Sequence, residues 1–436
     1  MANFEEIVTG VKIKTEISSE KLTQKINKFS TDTRTIETGD FYIPLKGANF
    51  DGEEFIEQAV EKGAIGYFTT GEIKSLSAIG IQVEDTKIAY LELARQRRKK
   101  INPKVVLITG SSGKTTTKEL VYSVLSQKYK TFKTPLNHNN EIGLCQTIFD
   151  MPDDTEVLVL EAGMRGLGEI EMISEYSLPD ISIICNVGTA HIGRLGSRDN
   201  IAIAKCEVTK YQDKKGTFIG HNNELIKKYL DFKGNKIFYS INDTLIIDKK
   251  IGYSKFLYKD EEYSLNIEGD YNIENSIAVI ETGKALGVEY SLIKKGLDEY
   301  KPIEKRWETE KIGKFNIIND SYNANPESMK ATLNTIFDLY PNAVIILGNM
   351  GELGDNEKEY HREVGEYIKQ KNKTNNTIIT VGDLAKEICD KHNFETNIDV
   401  TKYILENITN ETTLFFKASR SMKFEEIISN IKENIL

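Results

Sequence analysis

Cysteine is scarce in this sequence. The four cysteines, at positions 145, 185, 206 and 389, lie far apart and form no CxxC pair, so neither a structural zinc site nor a disulfide framework is expected. No window approaches about 18 uninterrupted apolar residues, the length that a membrane-spanning helix needs, and the first residues lack the basic and apolar segments of a signal peptide. We therefore expect a cytoplasmic protein without membrane insertion.

A basic excess is also lacking. The formal net charge is −9 and the isoelectric point is about 5.4, whereas a general nucleic-acid binder needs positive charge to offset phosphate. Nucleic acid is therefore not expected as a partner. One local basic cluster, residues 95–100, is interpreted as a solvated helix end.

Apolar runs and helical patterns alternate along most of the chain, which predicts an α/β protein. At 436 residues, and with about 150 residues per domain as a prior, the chain is long enough for roughly three domains. The alternation is interrupted at Asn102-Pro103 and at Lys301-Pro302, which mark candidate domain boundaries. We predict domains over residues 1–100, 101–301 and 302–436, with βαβ units on a parallel sheet in the second and a further α/β unit in the third.

The most informative stretch is ITGSSGKTTTKE, residues 108–119. An apolar run over 105–108 predicts a buried strand before it, and a helical pattern with its apolar residues on one face follows. Strand, glycine-rich turn and helix together are typical of a phosphate-binding loop. The spacing is shorter than the full Walker pattern, which has glycine where this chain has Ile108. A chance GKT in a loop is therefore the alternative interpretation.

The residue types in this stretch suit a nucleotide. Gly110 and Gly113 let the backbone approach an anion without a Cβ in the way, and the amides that open the helix, together with its dipole, attract the anion. Lys114 can reach the terminal phosphates, and Thr115 can place a hydroxyl on Mg²⁺. Nucleotide binding is the favoured interpretation.

Glu161 and His191 follow two other predicted strands, at the carboxyl ends where ligands gather in parallel sheets. With Thr115 they form a candidate cation site, because Mg²⁺ takes oxygen ligands, usually one or two carboxylates plus substrate phosphates. Histidine is a less usual ligand for Mg²⁺, so Mn²⁺ is the alternative ion. The competing interpretations are a surface salt bridge for Glu161 and a loop histidine without a ligand for His191.

Two further segments follow predicted strands in the C-terminal part. Residues 320–326 precede a helical pattern, in which Asn325 suits the N-cap and Pro326 the first turn. Residues 347–354 contain three glycines, which either permit a turn or let the backbone approach a ligand. Lys205, on a predicted helix, is by itself most often a solvated charge.

These motifs occur together, and in this order, in the Mur ligases of peptidoglycan precursor synthesis, and the resemblance covers nearly the whole chain. Besides the segments already named, it rests on residues 31–34, 39–41, 45–47, 51–52, 137–143, 161–170 and 189–197. Residues 320–329 and 347–354 resemble the subgroup that adds D-alanyl-D-alanine more than its sister subgroups.

The resemblance implies an ATP-dependent ligase that adds D-alanyl-D-alanine to UDP-N-acetylmuramoyl-tripeptide through an acyl phosphate, releasing ADP and phosphate. It implies an N-terminal α/β domain for the UDP substrate and a central P-loop parallel-sheet ATPase domain. It also implies a C-terminal Rossmann-like α/β domain that closes on ATP and binds the incoming dipeptide. ATP and Mg²⁺ are the expected cofactors, the two small-molecule substrates the expected partners, and a monomer the expected state.

The resemblance also assigns roles to matching positions. The catalytic positions are Lys114, Glu161, His191 and Lys205. The cation would be held by Thr115, Glu161, His191 and Lys205, the last of which matches a lysine that is typically carbamylated. The positions at the nucleotide are Gly110, Ser111, Ser112, Gly113, Lys114, Thr115, Thr116, Asn272, Asn275, Arg306, Asp320 and Tyr322. The positions at the UDP-linked or peptide substrate are Thr31, Asp32, Arg34, Lys46, Gly47, Asn139, Asn140, Asn323 and Asn325.

Two alternatives stay open. The nearer one is a ligase of the same family that adds a single amino acid to a shorter precursor, and residues 320–326 and 347–354 count against it. The other is a nucleotide-dependent switch or scaffold without ligase chemistry, against which the intact phosphate and cation positions count. Tyr271, where the family usually has histidine, leaves the contacts at the nucleotide edge open, and the third residue of the peptide substrate is not indicated.

Overall fold

The structure, a computed structural model, describes residues 2–47, 49–135, 138–303 and 305–435. Residue 137, at the start of the 137–143 stretch, lies outside the described residues. Three parallel or mainly parallel sheets are covered by helices, so the predicted α/β class is confirmed. Among the described residues, no helix is both long and apolar enough to cross a membrane.

The N-terminal region is built on a four-stranded sheet. Its elements are β1 (Ala2–Asn3), α1 (Phe4–Gly10), α2 (Ser19–Leu22), β2 (Lys25–Ile26), β3 (Phe29–Ser30), β4 (Phe41–Tyr42), α3 (Ile56–Glu61), β5 (Gly66–Thr69), β6 (Ile79–Gln82) and α4 (Thr86–Ile101). The sheet order is β3-β4-β5-β6 with neighbours parallel, and β1 pairs antiparallel with β2. Residues 31–34 follow β3 and residues 45–47 follow β4, so both segments lie at the carboxyl end of this sheet.

The central region contains a six-stranded parallel sheet and a three-stranded antiparallel sheet. Its elements are β7 (Lys104–Thr109), α5 (Lys114–Leu125), β8 (Thr131–Lys133), α6 (Glu141–Asp150), β9 (Val157–Glu161), α7 (Glu169–Ser177), β10 (Ile181–Ile184), α8 (Ile192–Leu195), α9 (Arg198–Cys206), β11 (Thr217–His221), α10 (Glu224–Tyr229), β12 (Asn235–Tyr239), β13 (Thr244–Lys250), β14 (Tyr253–Tyr258), β15 (Glu261–Leu265), α11 (Asp270–Ala285) and α12 (Tyr290–Asp298).

Strand β7 lies inside the parallel sheet, whose order is β12-β11-β10-β7-β9-β8. Its residues 105–108 are fully buried, which is typical of a parallel strand covered by helices on both faces. Because β10 and β9 flank β7, the turn after β7, residue 161 at the end of β9 and the loop after β10 open on one edge. Strands β8 and β9 lie on one side of β7, and β10, β11 and β12 lie on the other. Ligands bind at such a change of direction in doubly wound sheets.

The C-terminal region is a second six-stranded sheet with helices on its faces. Its elements are β16 (Glu308–Ile312), β17 (Phe315–Asn319), α13 (Pro326–Leu339), β18 (Val344–Gly348), α14 (Glu357–Lys371), β19 (Thr377–Val381), β20 (Asn393–Phe394), α15 (Asn397–Asn407), β21 (Thr412–Lys417) and α16 (Glu425–Ile435). The order is β16-β17-β21-β18-β19-β20, and every neighbouring pair is parallel except β16 with β17. The bounds of the three predicted domains stay a prediction.

The basic cluster at residues 95–100 lies at the end of α4, but two of its arginines are not solvated. Arg98 is buried and donates from Nε to the carbonyl oxygen of Ser177 at 2.8 Å, at the end of α7. Arg97 donates from Nε to the carbonyl oxygen of Ile148 at 3.0 Å, near the end of α6. Basic side chains satisfy the free carbonyls at helix C-termini, so the interpretation as a solvated helix end is wrong for these two residues.

Candidate functional site

A cavity of about 580 Å³ lies between the open edge of the central sheet and the C-terminal region. The predicted site residues in its wall are Ser111, Ser112, Gly113, Lys114, Thr115, Thr116, Asn139, Asn140, Glu161, His191, Asn275, Arg306, Asp320, Tyr322, Asn323 and Asn325. The fold therefore brings together residues as far apart in sequence as Ser111 and Asn325. Gly110, Lys205, Asn272 and the five N-terminal positions are not among the described residues of this wall.

The phosphate loop has the strand–turn–helix context that the sequence predicts. Gly113 precedes α5 at a φ of +78°, and a Cβ at this position would lie 2.8 Å from Oδ1 of Asn275. Lys114 donates from Nζ to the carbonyl oxygen of Gly110 at 2.8 Å, so its side chain folds back over the loop. Burial lowers the pKa of Lys114 from its ordinary value, and the nearby Glu161 carboxylate opposes the shift.

Asn186 shapes this loop and is a site residue that the sequence analysis missed. Its Oδ1 accepts hydrogen bonds from the amides of Ser111 at 3.1 Å and Ser112 at 2.9 Å. Its Nδ2 donates to Oγ of Ser112 at 3.0 Å. Asn186 directly follows the apolar run of β10, and only the strand order, which puts β10 beside β7, reveals that it reaches the loop.

Glu161 is buried at the centre of the candidate cation site. Its Oε2 accepts from Oγ1 of Thr115 at 2.8 Å, its Oε1 accepts from Nδ2 of Asn139 at 3.1 Å, and Nζ of Lys118 lies 3.8 Å from Oε2. No group of three or more histidine, cysteine, aspartate or glutamate side chains suited to a metal occurs among the described residues. The Thr115–Glu161 oxygen pair fits Mg²⁺ that takes its other ligands from water and substrate phosphates, and does not fit a closed protein cage.

His191 lies in the loop after β10, immediately before α8, in the left-handed region at a φ of +66°. Its Nδ1 is buried and lies 2.5 Å from Oε2 of Glu352, which belongs to the C-terminal region, and the contact has the distance of an ion pair without the alignment of a hydrogen bond. The contact with His191 lowers the pKa of Glu352 from its ordinary value, although partial burial acts in the opposite direction. The sequence analysis placed His191 at the site but did not identify this partner.

Lys205 is buried on α9, contrary to the solvated charge expected of a helical lysine. Within the described residues, Lys205 Nζ has no hydrogen-bond or ion-pair partner. Burial, with a smaller effect from the positive charge of Lys114, lowers its pKa well below the ordinary value. The side chain is therefore a buried amine with a lowered pKa, close enough to Lys114 to feel its charge, rather than a surface cation.

The C-terminal region closes the cavity with charged and polar side chains. Lys417, another residue that the sequence analysis missed, pairs with the Asp320 carboxylate and is itself buried. The guanidinium of Arg306 lies 4.2 Å from the centre of the Tyr322 ring, a cation–π contact. Asn325 caps α13 by accepting from the amide of Ser328 at 2.9 Å, as the sequence predicts, and its Nδ2 reaches the carbonyl oxygen of Ser111 at 3.5 Å.

Asn272 and Asn275, two of the positions predicted at the nucleotide, differ in placement. Asn275 lines the cavity, whereas Asn272 is buried and donates from Nδ2 to the carbonyl oxygen of Glu268 at 2.6 Å. Its Oδ1 is buried without a partner among the described residues. Tyr271 lines the cavity and packs edge-on against Trp307, with ring centres 6.1 Å apart.

The five predicted positions in the N-terminal region do not form one contact set. Arg34 forks onto Asp32, with Nη2 2.6 Å from Oδ2, and this pairing lowers the pKa of Asp32 to about 2. Lys46 Nζ lies 3.0 Å from Oδ2 of Asp51. Thr31 and Asp32 line a second cavity, of about 570 Å³, between β3 and the helices α4 and α6. The described wall of that cavity does not include Arg34, Lys46 or Gly47.

Comparison with known proteins gives concordant matches. Residues 108–283 match the family description "Mur ligase middle domain", and residues 305–420 match "Mur ligase, glutamate ligase domain". The UDP-N-acetylmuramoyl-tripeptide–D-alanyl-D-alanine ligase of Bacillus subtilis (strain 168) is 34% identical over 94% of both chains. A crystal structure of MurF from Acinetobacter baumannii superposes with a TM-score of 0.89 over 99% of both chains at 26% identity. MurF ligase from Thermotoga maritima, solved in complex with ADP, superposes with a TM-score of 0.85 at 25% identity, over 94% of this chain and 98% of that one.

Proposed function

The chain belongs to the Mur ligase family, and we propose that it uses ATP to join D-alanyl-D-alanine to UDP-N-acetylmuramoyl-tripeptide in peptidoglycan precursor synthesis. The observation that carries the proposal is the single cavity lined both by the phosphate loop and by residues 320–325. A ligase of this kind needs a shared site, because the activated acyl group and the incoming amine must meet away from water. The identity with the Bacillus subtilis ligase over nearly the whole chain supports the dipeptide as the amine substrate.

ATP binds with its phosphates at residues 110–116, where the backbone amides and the dipole of α5 attract anions. Lys114 exchanges the Gly110 carbonyl for the terminal phosphates, and Arg306 brings a second positive charge from the C-terminal side of the cavity. Asn275 lies beside the loop at the nucleoside end, with Asn272 one helical turn away on α11. Asp320 and Tyr322 complete the nucleotide side of the C-terminal wall.

The cation would be Mg²⁺, with Mn²⁺ as the alternative, and Thr115, Glu161 and His191 would hold it. When bound, the ion neutralises negative charge on the phosphoryl group that is transferred. Lys205 is suited to carbamylation because its lowered pKa favours the neutral, nucleophilic amine: the nitrogen attacks the carbon of CO₂ and one proton passes to solvent. The resulting anionic carbamate provides oxygen ligands for a second cation.

The substrate carboxylate is a poor acyl donor until it is phosphorylated. One carboxylate oxygen attacks the γ-phosphorus and ADP leaves, which forms the acyl phosphate. The dipeptide amine then attacks the acyl carbon, phosphate leaves, and the amine nitrogen loses its proton to solvent. Phosphoryl transfer needs positioning and charge neutralisation more than covalent help, and closure of the C-terminal domain keeps water from the acyl phosphate.

The substrates approach the cavity from two sides. The UDP moiety is held at the carboxyl end of the N-terminal sheet by Thr31, Asp32, Arg34, Lys46 and Gly47. Asn139 and Asn140 face the muramoyl peptide, and Asn323 and Asn325 face the incoming dipeptide. Arg34 and Lys46 are largely exposed, so each can exchange its carboxylate partner for phosphate at little energetic cost.

The test is phosphate release from ATP and Mg²⁺ with UDP-N-acetylmuramoyl-tripeptide, with and without D-alanyl-D-alanine, combined with the product mass. We expect release that requires both substrates and a product heavier by the dipeptide less water. Release with a single amino acid in place of the dipeptide would assign the chain to a sister ligase. ATP binding without release under any combination would favour the switch or scaffold.

A matched pair of variants shows whether the release comes from this site. Lys114→Met removes the charge of the phosphate loop, whereas Lys215→Met removes an exposed lysine in the turn before β11. We expect loss of release in the first variant and a normal rate in the second, with similar melting temperatures. Release that survives Lys114→Met would contradict the proposal.

A further inference from the structure

The loop between β18 and α14 contacts the central region beside the candidate cation site. Besides the side-chain contact of Glu352 with His191, the amide of Gly193 donates to the carbonyl oxygen of Glu352 at 3.1 Å. Gly193 and Gly354 pack so closely that a Cβ on Gly193 would lie 2.5 Å from the Gly354 amide nitrogen. The backbones of two domains therefore meet at the residue that carries the carboxylate.

Hydrogen bonds within the C-terminal region anchor this loop. His361 is fully buried on α14, and its Nε2 accepts from the amide of Met350 at 2.9 Å while its Nδ1 lies 2.6 Å from the carbonyl oxygen of Glu357. On the other side, Oδ1 of Asn349 accepts from the amide of Ala385 at 2.8 Å. The loop that carries Glu352 is thus hydrogen-bonded to the rest of the C-terminal region on both sides.

We propose that Glu352 is a positioning residue: when the C-terminal domain docks and the imidazole of His191 turns to bind the cation, the Glu352 carboxylate accepts a hydrogen bond from Nδ1–H and so fixes Nε2 as the nitrogen that binds the cation. The inference rests on the proposed function. Histidines that bind metals commonly donate their other ring N–H to a carboxylate, which sets the tautomer and the ring orientation. In this protein the carboxylate comes from another domain. Docking therefore completes the cation site, which couples domain closure to readiness for phosphoryl transfer.

The competing explanation is an ion pair that merely holds two domains together. Arg194 Nε, 3.8 Å from Oε1 of Glu352, offers such a pair without involving the imidazole. A second interdomain contact, Oγ1 of Thr189 donating to Oε2 of Glu327 at 2.8 Å, touches no predicted cation ligand. Arg194 and Glu327 supply matched controls, because the loss of either side chain weakens the contact between the central and C-terminal regions while the Glu352–His191 contact stays.

The experiment measures Mn²⁺ binding by electron paramagnetic resonance, in the presence of a non-hydrolysable ATP analogue. We expect Glu352→Ala to weaken Mn²⁺ binding by about 10- to 100-fold, the usual effect of losing such a partner. Glu352→Gln should restore much of it, because its amide oxygen accepts the same hydrogen bond. Arg194→Ala and Glu327→Ala should bind Mn²⁺ as the wild type does. Unchanged affinity in Glu352→Ala, or equal losses in all the alanine variants, would overturn the proposal.

A second measurement needs no variant of Glu352 and no ligase activity. The chain has 5 histidines, so ¹⁵N-histidine labelling gives a spectrum in which His191→Gln identifies the His191 signals. We expect the proton on Nδ1 in the wild type, and a proton on Nε2 would overturn the assignment of roles. Because neither readout depends on turnover, a failure of the ligase assay and a failure of this inference are distinguishable.

Discussion

Gly193→Ala tests whether docking of the C-terminal domain is required for turnover. The added Cβ would lie 2.5 Å from the amide nitrogen of Gly354, whereas ordinary contacts begin at 3.4 Å. The central and C-terminal regions must therefore separate at this point by about 0.9 Å, the difference between these two distances. The atoms in the way are backbone atoms of the loop that His361 supports, and they cannot rotate aside as a side chain would. Gly193 lies in α8 and is not among the described residues with positive φ, so alanine adds no backbone strain of its own.

A displacement of about 1 Å in a positioned site costs on the order of 100-fold in rate, which corresponds to about 2.7 kcal/mol in the activation free energy. We therefore expect kcat to fall about 100-fold, while ATP affinity falls less, because residues 110–116 are untouched and only the contacts from Arg306, Asp320 and Tyr322 are displaced. The assay is steady-state phosphate release with all substrates, together with nucleotide titration. Gly166→Ala is the control, because its Cβ would meet only Oε1 of Glu169 at 3.7 Å. A Gly193→Ala variant with the wild-type kcat would refute the requirement for docking.

Three further predictions address residues that organise the site. Asn186→Ala removes two hydrogen bonds to loop amides, each worth about 1 kcal/mol. It should raise KM for ATP by about 10-fold or more, and an unchanged ATP titration would contradict the role of Asn186. Burial lowers the pKa of His361 from its ordinary value of 6.5, so its contribution to stability is complete above that value and is lost as pH falls toward the folded-state pKa. In denaturant titrations His361→Gln should show a smaller loss of unfolding free energy between neutral and mildly acidic pH than the wild type, and an equal loss would count against this. Removal of CO₂ from the buffer should lower turnover, bicarbonate should restore it, and a ¹³C carbamate signal should be absent from Lys205→Arg. A turnover indifferent to CO₂ would argue against carbamylation.

The parts of the site that depend on local sequence were predictable. The phosphate loop is a strand, a turn and a helix in one continuous run, and the Asn325 cap follows from residues 325 and 326 alone. The α/β class follows from alternating patterns, and the resemblance to Mur ligases, which the comparisons confirm, follows from the order of motifs. The loop and the cap are encoded within short windows, and the fold class and the resemblance follow from the order of patterns along the chain, so no knowledge of the tertiary structure was needed.

The remaining residues required the tertiary structure. Asn186 reaches the loop only because β10 pairs with β7, and Lys417 reaches Asp320 only because β21 pairs with β17. Lys205 and Arg98 carry charged side chains on helices, for which exposure is the usual expectation, yet both are buried. Strand order and burial are set by contacts between distant parts of the chain, and no local pattern reports them.

The two kinds of contact between the central and C-terminal regions indicate how the site opens and closes. One side is apolar, because Ile273 of α11 shares a buried cluster with Met329 and Leu333 of α13. The other side, at the phosphate loop, is polar: it includes hydrogen bonds from Thr189, Asn325 and the amide of Gly193, each with a net value of about 1 kcal/mol, and the contact of His191 with Glu352. Since apolar burial tolerates small rotations while such hydrogen bonds break readily, we expect the C-terminal domain to pivot about the α11–α13 contact. Under the proposed function, opening the polar side would admit ATP, and closing it would bring residues 320–325 and 352 toward the phosphates and the cation.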